Sequence, residues 1–509
     1  MERAFNKLKY RKIINSIKNA NDANNTNIVY DVLFKACEKG NNNLIKYFVE
    51  HGANVNKEDN YGKTLLSYAS SNGHVNVTKY LVKQGANIDK ENIDGETPLS
   101  NACSNGHAKV VKYLVEHGAN INKKVNNGGA SLFYACHNGY ENIVKCLVEH
   151  GADINKEDND GRIPLNYACQ NGHKNIVKYL VEQRSDINKE DIKGYTPLFS
   201  ACKNGHITIV KYLVKHGADI NKENKSGETP LFYACLNGHV NVVKYLVELG
   251  ANIKKESNKH LKPLYIACEN GHLTIVKYLL KIGASIDEEG NKGFSPLFIA
   301  CHNGHLTVVK YLVEHGADIN KESDLGFTPL YYACKEGHDD IVKYLVEHGA
   351  NINKESKGGF TPLYFACKEG HEHIVKYLVE RGANLNKKFI NNYNMLFNAC
   401  QEGHIAIIKY LVKLGADIHI VNSKGETLLF NACNSGNEAV VKCLVELGAD
   451  IHKVNNDGET PLHIVCKNGH KAIGKYLVEH GADIHAINIK GEHHYLWPIN
   501  MDIKIWGNI

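Results

Sequence analysis

Three kinds of residue able to do chemistry return along this chain at a constant step. Histidine stands at His74, His107, His173, His206 and on to His470, lysine at fourteen equivalent positions from Lys46 through Lys211 and Lys343 to Lys475, and thirteen of the fifteen cysteines at Cys37, Cys103, Cys136 and onward to Cys466. Imidazole and thiolate are metal ligands, and a row of ammonium groups could hold an acidic partner. Metal ligands, however, must converge on one ion at about 2 Å, whereas these are dealt out one per 33 residues with no Cys-x-x-Cys pair. His371 with His373, and His493 with His494, are isolated pairs with the same weakness. The histidines are therefore expected to cap or pack at the start of a helix. The lysines have Glu50, Glu116, Glu149 and Glu347 four residues on, the pairing of a solvated helix face. Each of the thirteen cysteines follows an alanine or a valine, and equivalent positions on adjacent helices lie roughly 8–10 Å apart, too far for a disulfide. They read as small buried hydrophobes in a reducing compartment.

No catalytic constellation accompanies them: there is no phosphate-cradling glycine loop, no nucleophile elbow and no pair of carboxylates tied to a pocket-forming fold. The chain is expected not to be an enzyme, with no cofactor and no metal. What positions the recurring residues is the period itself. Glycine marks Gly40, Gly73, Gly106, Gly139 and every 33rd residue to Gly469, through fourteen units without insertion or deletion. A second series runs Gly52, Gly85, Gly118, Gly151, is broken at Arg184, and continues to Gly481. A fixed period in this range means stacked repeats that bury their apolar faces only against neighbours. Such an array offers a long surface, so binding is the first functional expectation.

One unit, residues 321–353, shows the construction. Thr328-Pro329 starts a helix, with Thr as cap and Pro where no amide bond is lost. Leu330, Ala333 and Cys334 form one apolar stripe, and Gly337 ends the helix by taking positive φ. A second helix from about Asp339 buries Ile341, Val342, Leu345 and Val346, and Gly349 stops it. Gly359 permits the tight turn before Thr361-Pro362 begins again.

These motifs carry a resemblance. Gly194-Tyr195-Thr196-Pro197-Leu198, Gly205-His206 and Gly217-Ala218 and their equivalents resemble the ankyrin repeat over nearly all of residues 30–490. The resemblance implies an all-α fold, an α-solenoid of about fourteen repeats with hairpin-like loops at one edge and a groove that recognises proteins. It also implies a similarity of Asn155, Asn221 and Asn320 to asparagines hydroxylated in that family, although turn hydrogen bonding explains them equally. The chain departs from the pattern after Pro-Leu, where the family has histidine. Only His463 keeps it; the others include Phe133, Phe199, Phe232, Tyr265, Phe298, Tyr331, Tyr364, Phe397 and Phe430. Ala130-Ser131, Asn394-Met395 and Thr427-Leu428 lack the proline, and His260 and Asn392 replace the turn glycine, marking weaker layers.

Charge limits the partner class. The net charge of +5 is already reached within residues 1–19, so the rest of the chain is balanced and shows no one-sided basic field for nucleic acid. No secretory signal and no apolar run of membrane-spanning length is present. A monomeric chain, in the cytoplasm or nucleus and not inserted in a membrane, is the expectation. Residues 1–29, with Phe5, Leu8, Ile13, Ile14 and Ile17, read as a basic helical cap. Residues 491–509, with Trp497 and Trp506, read as a degenerate repeat and tail that could cap the last layer.

Function is expected where the units differ. After the turn glycine most units have Glu, Lys, Arg or Gly, but four successive units have Phe294, Phe327, Phe360 and Tyr393. The same units carry Phe298, Tyr331, Tyr364 and Phe397 on the first helix, followed in three of them by Ile299, Tyr332 and Phe365. An aromatic strip of this kind is typical of binding hot spots, with ring packing between layers as the competing role. The candidate partner-binding set is Phe294, Phe327, Phe360, Tyr393, Tyr331 and Tyr364. The expected function is a non-catalytic scaffold for one or more partner proteins. The alternative is an adaptor that tethers a target to an assembly, such as a ubiquitin ligase, through its terminal segments.

Overall fold

The structure, a computed structural model, describes residues 23–385 and 395–491. Among them are 28 α-helices and no strand, so the chain is an all-α array of helix pairs. It divides into two compact units, Met1–Asn258 and Lys259–Ile509, and the same layer logic holds inside each. After Ala23–Glu38, first helices of seven or eight residues alternate with second helices of nine. Within a unit, first helices pack on first helices more extensively than second on second. The Ala-Cys pairs explain this: Ala333 and Cys334, like Ala300 and Cys301, are wholly buried and small enough for close backbone approach.

Residues Pro329–Glu336 form the first helix of the type unit and Asp339–Glu347 the second. Thr328 is extended and buried, but its side chain makes no cap bond. The Tyr331 amide donates instead to the Thr328 carbonyl at 3.1 Å, a tightened first turn that uses one free donor. Ile341, Val342 and Leu345 are buried, each contributing about 1.5–3 kcal/mol by removal from water. Val346 is only half-buried, because it turns toward the exposed side of a helix whose core stripe is already filled.

Gly337 ends the first helix at φ 79°, as its place in the sequence requires. Arg184 and His260, standing in glycine registers, keep positive φ at 69° and 60°. The array therefore demands the left-handed conformation even of L-residues, for which it costs roughly 1–2 kcal/mol. Ser131–Asn138 and Leu428–Ser435 form without the starting proline, so stacking outweighs that loss. Asn392 and Asn394 lie outside the described residues, as do the stretch 1–22 and the tail 492–509 with Trp497 and Trp506.

Loops are tied across layers. Asn320 Oδ1 accepts from the Asn351 amide at 2.8 Å, and its Nδ2 donates to the Gly349 carbonyl at 3.2 Å. Asn155 and Asn221 likewise accept from Asp186 and Asn252. Lys222 pairs with Glu190, Lys255 with Glu223, and Lys354 with Glu322 of the preceding repeat, at 2.6–2.8 Å. Such exposed pairs are individually weak and screened by salt.

All fifteen cysteines are free, and only Cys146 and Cys466 are not fully buried. Burial pushes the Cys37, Cys400 and Cys433 thiols up to about 12, and the other cysteines of their register upward as well. A thiol that ionises near 9 when unfolded but near 12 when folded keeps its full stabilising effect below pH 9. That effect is lost as pH rises from 9 through 12. The unfolding midpoint of the chain should hold steady from pH 7 to 8.5 and fall steeply above pH 9; a flat profile to pH 10.5 would contradict this account. Native chain should also expose no more than two fast-reacting thiols to a disulfide reagent.

The repeat that lacks the cysteine supplies a complementary test. Ser70 stands in the cysteine register and Thr78 in the second-helix stripe, both fully buried, and neither hydroxyl has a hydrogen-bond partner. Ser70→Cys and Thr78→Val should each stabilise by about 1 kcal/mol by removing an unpaired polar atom. The thermal unfolding midpoint of each variant checks this, and a lowered midpoint would refute it.

Candidate functional site

The recurring histidines do not gather into a site. His338 occupies the N-cap of its helix but makes no cap bond. Its Nε2–H donates 3.0 Å back to the His302 carbonyl, in the last turn of the preceding repeat's first helix. His107, His206, His371 and His404 do the same to the residue 36 positions earlier, at 2.9–3.0 Å. A carbonyl only accepts, so Nε2 carries the proton. Asn41 and Asn437, in the same register, cap their own helices instead. Among the described residues no group of three or more His, Cys, Asp or Glu side chains could hold a metal ion.

The lysine series is also committed. Lys46, Lys79, Lys211, Lys277 and Lys310 each lie 5.0–5.6 Å over the tyrosine ring of the next repeat, respectively Tyr80, Tyr113, Tyr245, Tyr311 and Tyr344. Such contacts are worth about 0.5–1 kcal/mol at exposed sites. The expected pairing with Glu four residues on occurs at Lys112 and Lys475, at 3.9 and 3.7 Å. Lys145 and Lys442 reach backward to Glu141 and Glu438 instead. The Lys-Tyr dipeptide of twelve of the fourteen second helices was the signal, but its partner lies one repeat away.

The aromatic residues do converge. Phe294 stacks on Phe298 and Phe327 on Tyr331 with centroids 4.1 Å apart, and Phe360 lies tilted on Tyr364 at 4.7 Å. Neighbouring repeats are joined by Phe298–Tyr332 and Tyr331–Phe365, both at 4.4 Å. Tyr332 also meets Phe294 and Phe327 edge-on at 6.0 Å, and Phe360 meets Phe365. Eight rings on three successive repeats thus form one contiguous cluster.

Its layers are distinct. Phe298, Tyr331 and Tyr364 are 2–6% exposed, so these first-helix rings form a buried floor. Phe294, Phe327, Phe360, Tyr332 and Phe365 are half-buried and form the surface. Tyr393 lies outside the described residues. Lys335 and Lys368 rim the cluster, their ammonium groups 5.4 and 5.7 Å over Tyr332 and Phe365. The Lys335 ammonium also pairs with Glu336 at 2.9 Å.

Hairpin turns place the surface rings. The Ser323 amide donates to the Phe327 carbonyl at 2.9 Å, and the Phe327 amide donates to Ser323 Oγ at 3.2 Å; Ser356 holds Phe360 in the same way. Where Glu follows the turn glycine, asparagine replaces the serine. Asn224 Nδ2 then donates to Glu228 Oε2 at 2.8 Å, and Asn455 Nδ2 to Glu459 at 3.0 Å.

A second aromatic group escaped the sequence reading. Tyr195 shares the register of Phe327; it meets Phe199 at 5.3 Å and Tyr233 at 5.5 Å. Its hydroxyl donates 2.6 Å to the Tyr233 hydroxyl, which donates 2.6 Å to Glu228. The signal was present, but one aromatic flanked by charged residues at that register does not read as a cluster. Elsewhere a polar concavity of about 560 Å³ is lined by Glu426, Asn431, Asn455, Glu459 and Lys467 among others.

Comparison with known proteins identifies the repeat. A family model of ankyrin repeats (three copies) matches in nine overlapping stretches between residues 3 and 488. No curated protein matches. Among solved structures, the chain is similar to the crystal structure of the human ASB11 ankyrin repeat domain, at 30% identity and a TM-score of 0.41. That match covers 44% of this chain and 99% of the other.

Floor and surface rings should separate in stability. Tyr331→Ala empties a buried, packed position and should cost about 3–5 kcal/mol. Phe327→Ala, losing a half-exposed ring, should cost about 1–2 kcal/mol. Urea unfolding of the two variants reads the difference; equal losses would show that Phe327 is as much core as Tyr331.

Proposed function

The chain belongs to the ankyrin-repeat family, whose repeats are protein-interaction modules and generally non-catalytic, and from that premise we propose that it is a non-catalytic scaffold holding a partner protein on the strip formed by Phe294, Phe327, Phe360, Tyr332 and Phe365. One observation carries this reading: five half-buried rings stand side by side on three repeats, over a floor of buried rings that fixes them. Rings already immobilised lose little entropy on binding, and desolvated aromatics dominate interface energies. The histidines, lysines and cysteines, the other candidates, are occupied within the array. A cytoplasmic setting accords with fifteen free thiols, and none of the described helices is long and apolar enough to cross a membrane. The adaptor alternative depends on the terminal segments, which lie outside the described residues.

The test compares the full chain with a Phe327→Lys, Phe360→Lys double variant in proximity labelling and pull-down. Capture of the specific partner should fall at least tenfold while circular dichroism stays unchanged. Undiminished capture would remove the assignment.

A further inference from the structure

The chemistry of the aromatic strip narrows what can lie on it. Backbone groups beside the surface rings are already used. The Phe294, Phe327 and Phe360 carbonyls accept from Gly290, Ser323 and Ser356 at 2.9 Å, and the Phe327 and Phe360 amides donate to serine hydroxyls. The turn tips are joined in turn, Asp324 to Lys292 at 3.0 Å and Lys357 to Leu325 at 2.9 Å. A partner strand would find no free ladder to extend, so strand addition is excluded. The occupant must bring a backbone that needs no pairing with this one.

Two donors at the surface of the strip, the Tyr332 hydroxyl and the Lys368 ammonium, are left for a partner. The Tyr332 hydroxyl makes no hydrogen bond among the described residues and is not one of their buried, partnerless polar atoms, so it meets solvent. The Lys368 ammonium stands over Phe365, whereas that of Lys335, over Tyr332, is already paired with Glu336. An α-helix has spent its backbone carbonyls internally, so its main chain offers nothing to these donors. A polyproline II segment has no internal hydrogen bonds, and its prolines carry carbonyls without amides. Its spacing also matches. Three residues at 3.1 Å advance about 9.3 Å, and packed helices of successive repeats stand roughly 8–10 Å apart. One turn of the segment therefore steps one repeat, bringing a pyrrolidine face onto each successive ring group.

We propose that the strip of Phe294, Phe327, Phe360, Tyr332 and Phe365 takes a proline-rich segment in the polyproline II conformation, with prolines at every third residue on successive repeats and a carbonyl accepting from the Tyr332 hydroxyl. This rests on the reading of the strip as the partner face and specifies the partner's chemistry. Aromatic surfaces suit such a ligand because its conformation is largely set before binding.

A library of random 15-residue peptides displayed on phage tests it, panned on the full chain and counter-selected on the Phe327→Lys, Phe360→Lys variant. Surviving peptides should carry proline at i, i+3 and i+6. A synthetic copy of the most enriched should bind the full chain in calorimetry. Phe327→Ala should weaken it at least tenfold, and Tyr332→Phe, which keeps the ring and loses only the hydroxyl, at least threefold. Peptides with apolar anchors at i, i+4 and i+7, peptides that bind both chains equally, or an unchanged affinity in Tyr332→Phe would each overturn the proposal. Failure here with partner capture still lost in the double variant leaves the scaffold reading standing; retained capture removes that reading itself.

Discussion

Most layers are locked to the next by a histidine that lies over a glycine, with Tyr140 and Asn437 in its place at two boundaries. A Cβ at Gly304, where φ is 78°, would stand 2.7 Å from the His338 ring of the following repeat, and that ring donates to the His302 carbonyl two residues before the glycine. The glycine is needed twice: for a left-handed turn and for space under an imidazole. The histidine in turn satisfies a carbonyl that the end of a short helix leaves free. Neither residue explains itself within its own repeat. Taken as a pair across the boundary, they fix how far one layer can slide on another.

With that register fixed, most recurring side chains meet the same kind of neighbour. Lysine falls over the next tyrosine, asparagine bridges to the next loop, and loop lysine reaches the preceding glutamate. Each contact is individually weak. They matter through repetition, since the stability of such an array is close to a sum over neighbours. The same geometry accounts for cysteine in the core stripe. The position admits only a small side chain, and serine there leaves an unpaired hydroxyl, as Ser70 does. A thiol buries without that penalty.

Sequence reasoning reached what a single repeat encodes. The period, the helix pair, the proline start and the glycine stops all follow from local chemistry, and the first and second helices lie where the 321–353 unit places them. Contacts between residues 34–36 apart were hidden, because composition and spacing name the residue but not what its neighbour offers. Thus the histidines were expected at the start of the second helix, while their acceptor, a carbonyl one layer back, could not be seen. The aromatic residues were legible as an exception to the repeat, but their depth was not. Tyr331 and Phe327 are four residues apart, yet one belongs to the floor and the other to the surface, a division set by the turn that lifts Phe327 out of the helix.

That turn shows why the strip differs in kind from its surroundings. In the repeats with glutamate after the turn glycine, asparagine four residues earlier spends its oxygen on the loop amides and its nitrogen on the carboxylate. Phenylalanine offers no acceptor for such a nitrogen, and an asparagine opposite it would have one group stranded. Serine needs no second partner: its oxygen accepts the phenylalanine amide, and the ring is left to settle on the helix below. Ser323 with Phe327, and Ser356 with Phe360, are therefore matched changes at two positions, against Asn224 with Glu228, Asn422 with Glu426 and Asn455 with Glu459. Paired changes in adjacent repeats, seated on buried first-helix aromatics, set this stretch apart from the repeats that carry asparagine and glutamate.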